Sequence, residues 1–210
     1  MNLRPSTRAG TRLKRLLAVS CLTLGAAVLD PTQAAGQPAD LGGLMSLLGR
    51  VERVEADYRE TVTSDLIATT ISQRGMLIYQ APDRLERVDD GGNGFVLDGH
   101  QLNLINDGQV VRELNVADLP SLQALVGALR AIFAGDLETL RAAYELDYRA
   151  LNEHWELDLE PIDTDLKMVL GRLHLVGTGA TITRIDTTER NGDMRAMYMT
   201  LKRRRPAVLN

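Results

Sequence analysis

Few side chains in this sequence have the spacing that catalysis or metal binding requires. His100, His154 and His174 are far apart and show none of the short spacings of metal ligands, so ordinary polar roles are favoured. Asp163-Thr164-Asp165 lacks the glycine and the downstream glutamate of a calcium loop, which favours a solvated turn. Gly91-Gly92-Asn93-Gly94 does not stand between a strand and a helix, so it predicts a turn rather than a phosphate-binding loop. No Gly-x-Ser-x-Gly motif occurs. We therefore predict no catalytic residue, no metal site and no cofactor.

The first residues have the pattern of an export signal. A basic run over residues 4–15 is followed by an apolar stretch over 16–29 and by the small-residue segment Thr32-Gln33-Ala34-Ala35. This order is typical of a secretory signal peptide, here over residues 1–34. The apolar stretch is shorter than the roughly 20 residues that span a bilayer. We expect the mature protein to begin near Ala35 and to be periplasmic.

Cysteine content and charge exclude several classes of function. The single cysteine, Cys21, lies in the leader, and Ala18-Val19-Ser20 before it is a poor match to a lipidation signal, which is the alternative role for this residue. Disulfides, zinc–thiolate sites and thiol catalysis are therefore excluded from the mature chain. The leader carries five of the 24 Lys and Arg and one of the 28 Asp and Glu, so the remainder has a formal charge of −8. Nucleic acid is not expected as a partner, because phosphate contacts need clustered positive charge.

The order of predicted elements is a helix, many antiparallel strands, two helices and more strands. Asp40 is placed to cap the first helix, and Asp-Gly or Asn-Gly pairs at 98–99, 107–108 and 191–192 predict hairpins. A wide apolar stripe predicts a helix from Pro120 to Gly135, followed by a short helix capped by Asp136. A sheet of about ten strands curls because strands twist. We predict an α+β fold, in which a curled antiparallel sheet forms an incomplete β-barrel that a helical lid closes. This domain covers residues 35–201, and a solvated basic tail covers 202–210.

Several local patterns in this order resemble one known family. They are Arg74 to Tyr79 with Pro82 after it, the turn Val96-Leu97-Asp98-Gly99, Gly135-Asp136 with Leu137 to Leu140 and Tyr144, Trp155 to Pro161, and Ile182 to Ile185 with the Asn191-Gly192 hairpin. Together they resemble the periplasmic lipoprotein carriers of the LolA-like family over nearly the whole mature chain. The resemblance implies an open β-barrel with a helical lid over an apolar cavity. It also implies lipoprotein acyl chains as cargo, an inner-membrane donor protein and an outer-membrane acceptor protein.

Two features depart from the best-known carriers. In those carriers an arginine, which bonds the lid shut, precedes the proline that matches Pro82, whereas Ala81 occupies this position here. Aromatic residues are also scarce at 4% of the chain, so a cavity would have aliphatic walls, which suit acyl or isoprenoid chains. The sequence therefore indicates a divergent member, whose cargo is a lipoprotein or another lipidic molecule.

Alternation along the strands and the inner stripe of the long helix predict the residues that line the concave face. The predicted ligand-binding residues are Leu77, Tyr79, Phe95, Leu97, Leu102, Leu104, Leu122, Leu125, Leu129, Phe133, Trp155, Leu157, Met197 and Met199. The alternative is that they form a filled core, since apolar residues at strand or helix period usually do.

Three functions are compatible with this pattern. The first is a monomeric, non-enzymatic carrier that binds lipidic or acyl chains and ferries them between membranes. The second is a lipid-responsive sensor or adaptor on the same scaffold. The third is an exported hydrolase or isomerase, for which no constellation of acid, base and nucleophile is visible.

Overall fold

The computed structural model describes residues 37–64, 67–118 and 120–206, without the side chains of 67–69, 120–122, 124, 125 and 165. The predicted signal peptide at 1–34 and the end of the basic tail at 207–210 lie outside the described residues.

In the described part of the chain, eleven antiparallel strands form one sheet. The strands are β1 (Val51–Ser64), β2 (Ile67–Gln80), β3 (Arg84–Asp89), β4 (Gly94–Asp98), β5 (Gln101–Asn106), β6 (Gln109–Asn115), β7 (Tyr144–Ala150), β8 (Trp155–Pro161), β9 (Leu170–Thr178), β10 (Thr181–Glu189) and β11 (Met194–Pro206). Their order is β6-β5-β4-β3-β2-β1-β11-β10-β9-β8-β7, so β6 and β7 are the edges and the barrel is not closed. The predicted fold class is confirmed, with eleven strands where about ten were expected.

Two of the helices lie in the connection between the two edge strands of the sheet. After β6 come a 3-10 turn (Val116–Asp118), α2 (Pro120–Ala134) and α3 (Leu137–Ala143), and β7 follows directly. Because this connection joins the two edge strands, its helices lie at the open side of the barrel as a lid. A further helix, α1 (Leu41–Leu48), precedes β1, and a single turn, α4 (Thr164–Lys167), connects β8 and β9.

The helix caps follow the predicted chemistry. The Asp40 side chain accepts a hydrogen bond from the backbone N–H of Gly43 at 2.7 Å, and Asp136 accepts one from Thr139 at 3.0 Å. Gly135 ends α2 with φ +69°, and a Cβ at this position would stand 2.1 Å from the Met45 carbonyl oxygen of α1. Such close backbone contact requires glycine and ties the end of α2 to α1.

One aromatic pair connects the lid to the sheet. The ring of Phe133 in α2 stacks on Tyr79 of β2, with ring centroids 4.8 Å apart and planes at 18°. The Tyr79 hydroxyl donates to the carbonyl oxygen of Pro82 at 3.3 Å. Ala81, the residue that departs from the family pattern, is partly buried and packs against the core. In the described residues, the contact between lid and sheet at this point is therefore aromatic stacking.

One segment agrees with the sequence-based expectation in exposure, and one differs from it. Asp163 and Thr164, expected in a solvated turn, are exposed and begin a helical turn, in which Asp163 accepts from the Leu166 N–H at 3.1 Å and Leu166 is buried. Strand β11 continues beyond Leu201 to Pro206, because β1 extends alongside it and pairs with it to that point. The basic side chains at 202–205 are exposed, as expected, but their backbone belongs to the sheet.

Candidate ligand-binding site

A cavity of about 600 Å³ lies between the concave face of the sheet and α2. This volume is in the range of small-molecule sites, about 300–1,000 Å³. Its walls are mainly aliphatic side chains from nearly every part of the barrel. The apolar lining consists of Leu77, Leu85, Phe95, Leu102, Leu104, Leu114, Val126, Leu129, Phe133, Leu166, Val169, Leu170, Leu173, Ile185 and Met197.

Cross-strand register places these side chains together. Leu77 pairs with Arg87, Arg87 with Phe95, and Phe95 with Leu104, so one row crosses β2, β3, β4 and β5 on a single face. Residues two positions apart on a strand share that face. The alternation of apolar residues on short strands therefore builds a continuous curved wall, and α2 covers it with Val126, Leu129 and Phe133.

The structure brings half of the predicted binding residues to this cavity. They are Leu77, Phe95, Leu102, Leu104, Leu129, Phe133 and Met197. Five others are buried in the core and are not among the lining residues, namely Tyr79, Leu97, Trp155, Leu157 and Met199. The side chains of Leu122 and Leu125 lie outside the described residues. Which of these side chains contact a ligand stays a prediction.

Two of the five buried residues lie where the interior is tightly packed. Trp155 donates from Nε1 to the Gly179 carbonyl oxygen at 2.9 Å and packs so closely on Gly177 that a Cβ there would lie 2.2 Å from the indole. Met199 lines a separate void of only about 20 Å³, the size of one water. The interior around Trp155 and Met199 is thus filled.

Part of the cavity wall is charged, and its residues were not among those predicted from the sequence. Glu60, Arg87, Glu189 and Arg195 line the cavity beside its aliphatic residues. Arg87 forms an ion pair with Glu60, which is only 4% exposed. Arg195 donates from Nε to Glu189 at 2.8 Å, and this hydrogen bond raises the pKa of Arg195 above its ordinary value. The sequence signal for their position is spacing: Glu60 is two residues from Tyr58 and Arg195 is two residues from Met197, so each charged residue shares a strand face with an apolar or aromatic one.

The segment from α4 to the start of β9 also lines the cavity and was not among the predicted binding residues. Leu166, Val169 and Leu170 line the cavity next to Leu173 of β9. The apolar residues Leu166, Val169 and Leu170, which follow one another closely between the end of β8 and the body of β9, are the signal that could have identified this segment.

The three histidines are not among the residues that line the cavity. His174 Nδ1 is 2.7 Å from Asp158 Oδ1, and Arg149 and Arg172 also bond this carboxylate. Although burial raises the pKa of Asp158, its hydrogen bonds with His174 and Arg172 lower it below the ordinary value. His154 lies 3.4 Å from Glu156, and His100 is exposed. Their contacts are those of structural polar residues.

Within the described residues, no group of three or more His, Cys, Asp and Glu side chains is arranged to hold a metal ion. None of the helices in that part of the chain has the length and apolar character to cross a membrane.

Comparison with known proteins gives structural and family matches. A LolA superfamily protein from Nitrosomonas europaea matches at a TM-score of 0.43 and 10% identity, and the match covers 83% of this chain and 95% of the Nitrosomonas chain. A DUF1329 family protein from Desulfovibrio piger matches at a TM-score of 0.41 and 9% identity, covering 77% and 89%. No curated protein matches the chain.

The family assignment is independent of these structural neighbours. The family model described as outer membrane lipoprotein carrier protein LolA-like matches residues 33–207, which is more than four fifths of the chain. The resemblance inferred from the sequence is therefore confirmed: the chain belongs to the LolA-like family of outer membrane lipoprotein carrier proteins.

Proposed function

We propose that this protein is a periplasmic, non-enzymatic carrier, which binds the acyl chains of a lipoprotein or another lipidic molecule and ferries them between membranes. Residues 1–34 direct its export, and residues 35–201 form the carrier domain. The observation that carries the proposal is the aliphatic cavity of about 600 Å³ beneath α2. Membership of a carrier family supports the same conclusion.

Burial of the chain supplies the binding energy. Each methylene that leaves water contributes about 0.8 kcal/mol, so about ten methylenes contribute roughly 8 kcal/mol. Part of this gain offsets the lost freedom of the ligand and the displacement of α2. The wall made by Val126, Leu129 and Phe133 belongs to the lid, so cargo contact and lid position are coupled.

Release requires a partner that prefers the open lid. A ligand or partner shifts a conformational equilibrium only by its differential affinity for the two states. We propose an inner-membrane donor that loads the open form and an outer-membrane acceptor that unloads it, with the closed monomer carrying cargo between them.

Transfer of a fluorescent lipid between vesicles tests the carrier function. The protein is mixed with donor vesicles containing a pyrene-labelled diacylglycerol and with unlabelled acceptor vesicles. We expect wild-type protein to accelerate transfer, and Leu129→Asp to reduce the bound label at least about tenfold, because about 1.5–3 kcal/mol of apolar contact is lost. Leu151→Asp is the matched control, since Leu151 is 41% exposed and is not a lining residue.

The results separate the candidate functions. Unchanged binding by folded Leu129→Asp would contradict the position of the lid in the site. A stable stoichiometric complex with a membrane protein, without lipid transfer, would instead indicate the sensor or adaptor function.

A further inference from the structure

Positive charge is concentrated where β1 begins and β11 ends. Residues 50–55 and 201–206 together carry six Lys and Arg and two Glu, a formal charge of +4, whereas the rest of residues 35–210 has a formal charge of −12. The register of β1 with β11 joins the two segments, because Glu55 pairs with Arg203. Together the two segments form a basic strand pair in a chain that is otherwise acidic.

The basic side chains of β11 in this pair are exposed. All of residues 201–206 are exposed, and Arg203 and Arg205 form no side-chain hydrogen bond or ion pair among the described residues. Lys202 lies 2.8 Å from Asp57, but both side chains are 50% exposed. Exposed ion pairs of this kind contribute little. These side chains are therefore accessible to an external anion.

The electrostatic field around the basic strand pair is positive. Glu55 accepts a hydrogen bond from Arg53 Nε at 2.9 Å. This hydrogen bond, together with the charges of Arg203 and Arg205, lowers the pKa of Glu55 although burial raises it. One carboxylate thus faces three arginines, and the excess of positive charge has no counter-charge from Glu55.

The arrangement fits a broad anionic surface better than the shaped surface of one protein partner. Successive side chains of a strand point to opposite faces, so Arg204 lies on the face opposite to Arg203 and Arg205. Arg204 donates to Thr181 Oγ1 at 3.1 Å and lines an apolar crevice together with Leu201, which is 39% exposed. Basic side chains combined with an exposed apolar one are typical of segments that bind at a membrane surface, and a lipid surface requires no fixed spacing between the charges.

We propose that the basic strand pair docks the protein on the anionic phosphate headgroups of a membrane. Arginine is suited to this contact because its guanidinium can donate two hydrogen bonds to one phosphate. The acidic remainder of the chain is repelled by the same surface, so the molecule docks with the basic strand pair towards the lipid. None of the basic residues at 50–55 and 202–205 lines the cavity. The proposal is therefore independent of what the cavity binds.

Sedimentation with vesicles measures the docking. One set of vesicles contains equal parts of phosphatidylglycerol and phosphatidylcholine, and the uncharged reference set contains phosphatidylcholine alone. Each Lys or Arg near an anionic surface strengthens binding about fivefold, so Arg203→Gln/Arg205→Gln should bind the anionic vesicles roughly 10- to 30-fold more weakly than wild type. Arg203→Lys/Arg205→Lys keeps both charges and should bind within about threefold of wild type.

Arg112→Gln/Arg190→Gln is the matched control. It removes the same charge from two exposed arginines whose side chains form no ion pair among the described residues. Because neither arginine belongs to the basic strand pair, this variant should bind the anionic vesicles within about twofold of wild type.

Salt provides a second measurement that needs no variant. Raising the salt from about 0.1 M to about 1 M shortens the Debye length from about 10 Å to about 3 Å and should release the wild type from the anionic vesicles. Binding that persists at the higher salt, or equal binding to both sets of vesicles, would overturn the electrostatic basis of the docking. Equal losses in the two Arg→Gln variants would overturn the role of the basic strand pair. Failure of the wild type to bind anionic vesicles, with binding to polyglutamate instead, would overturn the lipid surface in favour of an acidic protein.

Discussion

The contact between Phe133 and Tyr79 allows a quantitative test of the free energy of lid opening. Phe133 is 7% exposed, and its ring stacks on Tyr79 across the boundary between α2 and the sheet. Replacing a buried phenylalanine by alanine costs about 3–5 kcal/mol, of which the ring pair accounts for about 0.5–1.5 kcal/mol. Because the lost contacts join α2 to the sheet, Phe133→Ala destabilises the closed lid relative to the open lid.

Hydrogen exchange of the backbone amides measures this change. If α2 opens while the sheet stays folded, its amides report the free energy of lid opening. At tenfold for every 1.4 kcal/mol, Phe133→Ala should accelerate exchange in α2 roughly a hundred- to several-thousand-fold.

The decisive comparison is a variant that weakens the sheet without touching the lid. Asp158 lies on β8, is 5% exposed, and bonds Arg149, Arg172 and His174 rather than α2. Asp158→Asn should accelerate only amides that exchange through global unfolding, such as those in β9, and leave α2 at the wild-type rate. Equal acceleration of α2 and β9 in Asp158→Asn would refute the reasoning, because α2 would then open only when the sheet unfolds.

Three further predictions concern stability. Gly177→Ala should lower the midpoint of thermal unfolding and broaden the transition followed by Trp155 fluorescence. The added Cβ would stand 2.2 Å from the indole ring, and such overpacking costs about 1–3 kcal/mol. An unchanged midpoint would contradict the tight packing. Folding lowers the pKa of Asp158, so its carboxylate contributes to the free energy of unfolding above the unfolded pKa of about 3.9. This contribution is lost as the pH falls through the pKa of the folded protein. Urea titrations should therefore show that the stability of Asp158→Asn falls less steeply at acid pH than that of the wild type. Arg130→Met should raise the free energy of unfolding by up to about 1–3 kcal/mol, because Nε and Nη2 of Arg130 are buried without a partner among the described residues. A lower free energy of unfolding in urea titration would contradict the cost assigned to these two donors.

Local chemistry made most of the fold predictable. Asp107 and Gly108 both adopt positive φ, 49° and 74°, which is what a tight Asp-Gly hairpin turn requires. Asp40 and Asp136 cap their helices because a short carboxylate reaches the free N–H groups of the first turn. Since these signals act over a few residues, they require no knowledge of the tertiary structure.

The site was less predictable because residues on one face of a strand have different surroundings. Alternation places Leu77 and Tyr79 on the same face, yet Leu77 lines the cavity and Tyr79 is buried under Phe133. The ion pair of Glu60 with Arg87 joins residues on strands that are not neighbours, since β2 lies between β1 and β3. A contact across an intervening strand depends on tertiary structure, which the alternation of apolar residues along one strand does not indicate.

Native mass spectrometry of the protein purified from the periplasm, followed by organic extraction and identification of what is released, tests the central claim most directly. We expect wild-type protein to carry one bound lipidic molecule per chain, Leu129→Asp to carry little of it, and Leu151→Asp to retain it. Bare protein mass in all three samples, persisting after incubation with acyl-lipid vesicles, would contradict the claim that the cavity beneath α2 holds a lipid chain.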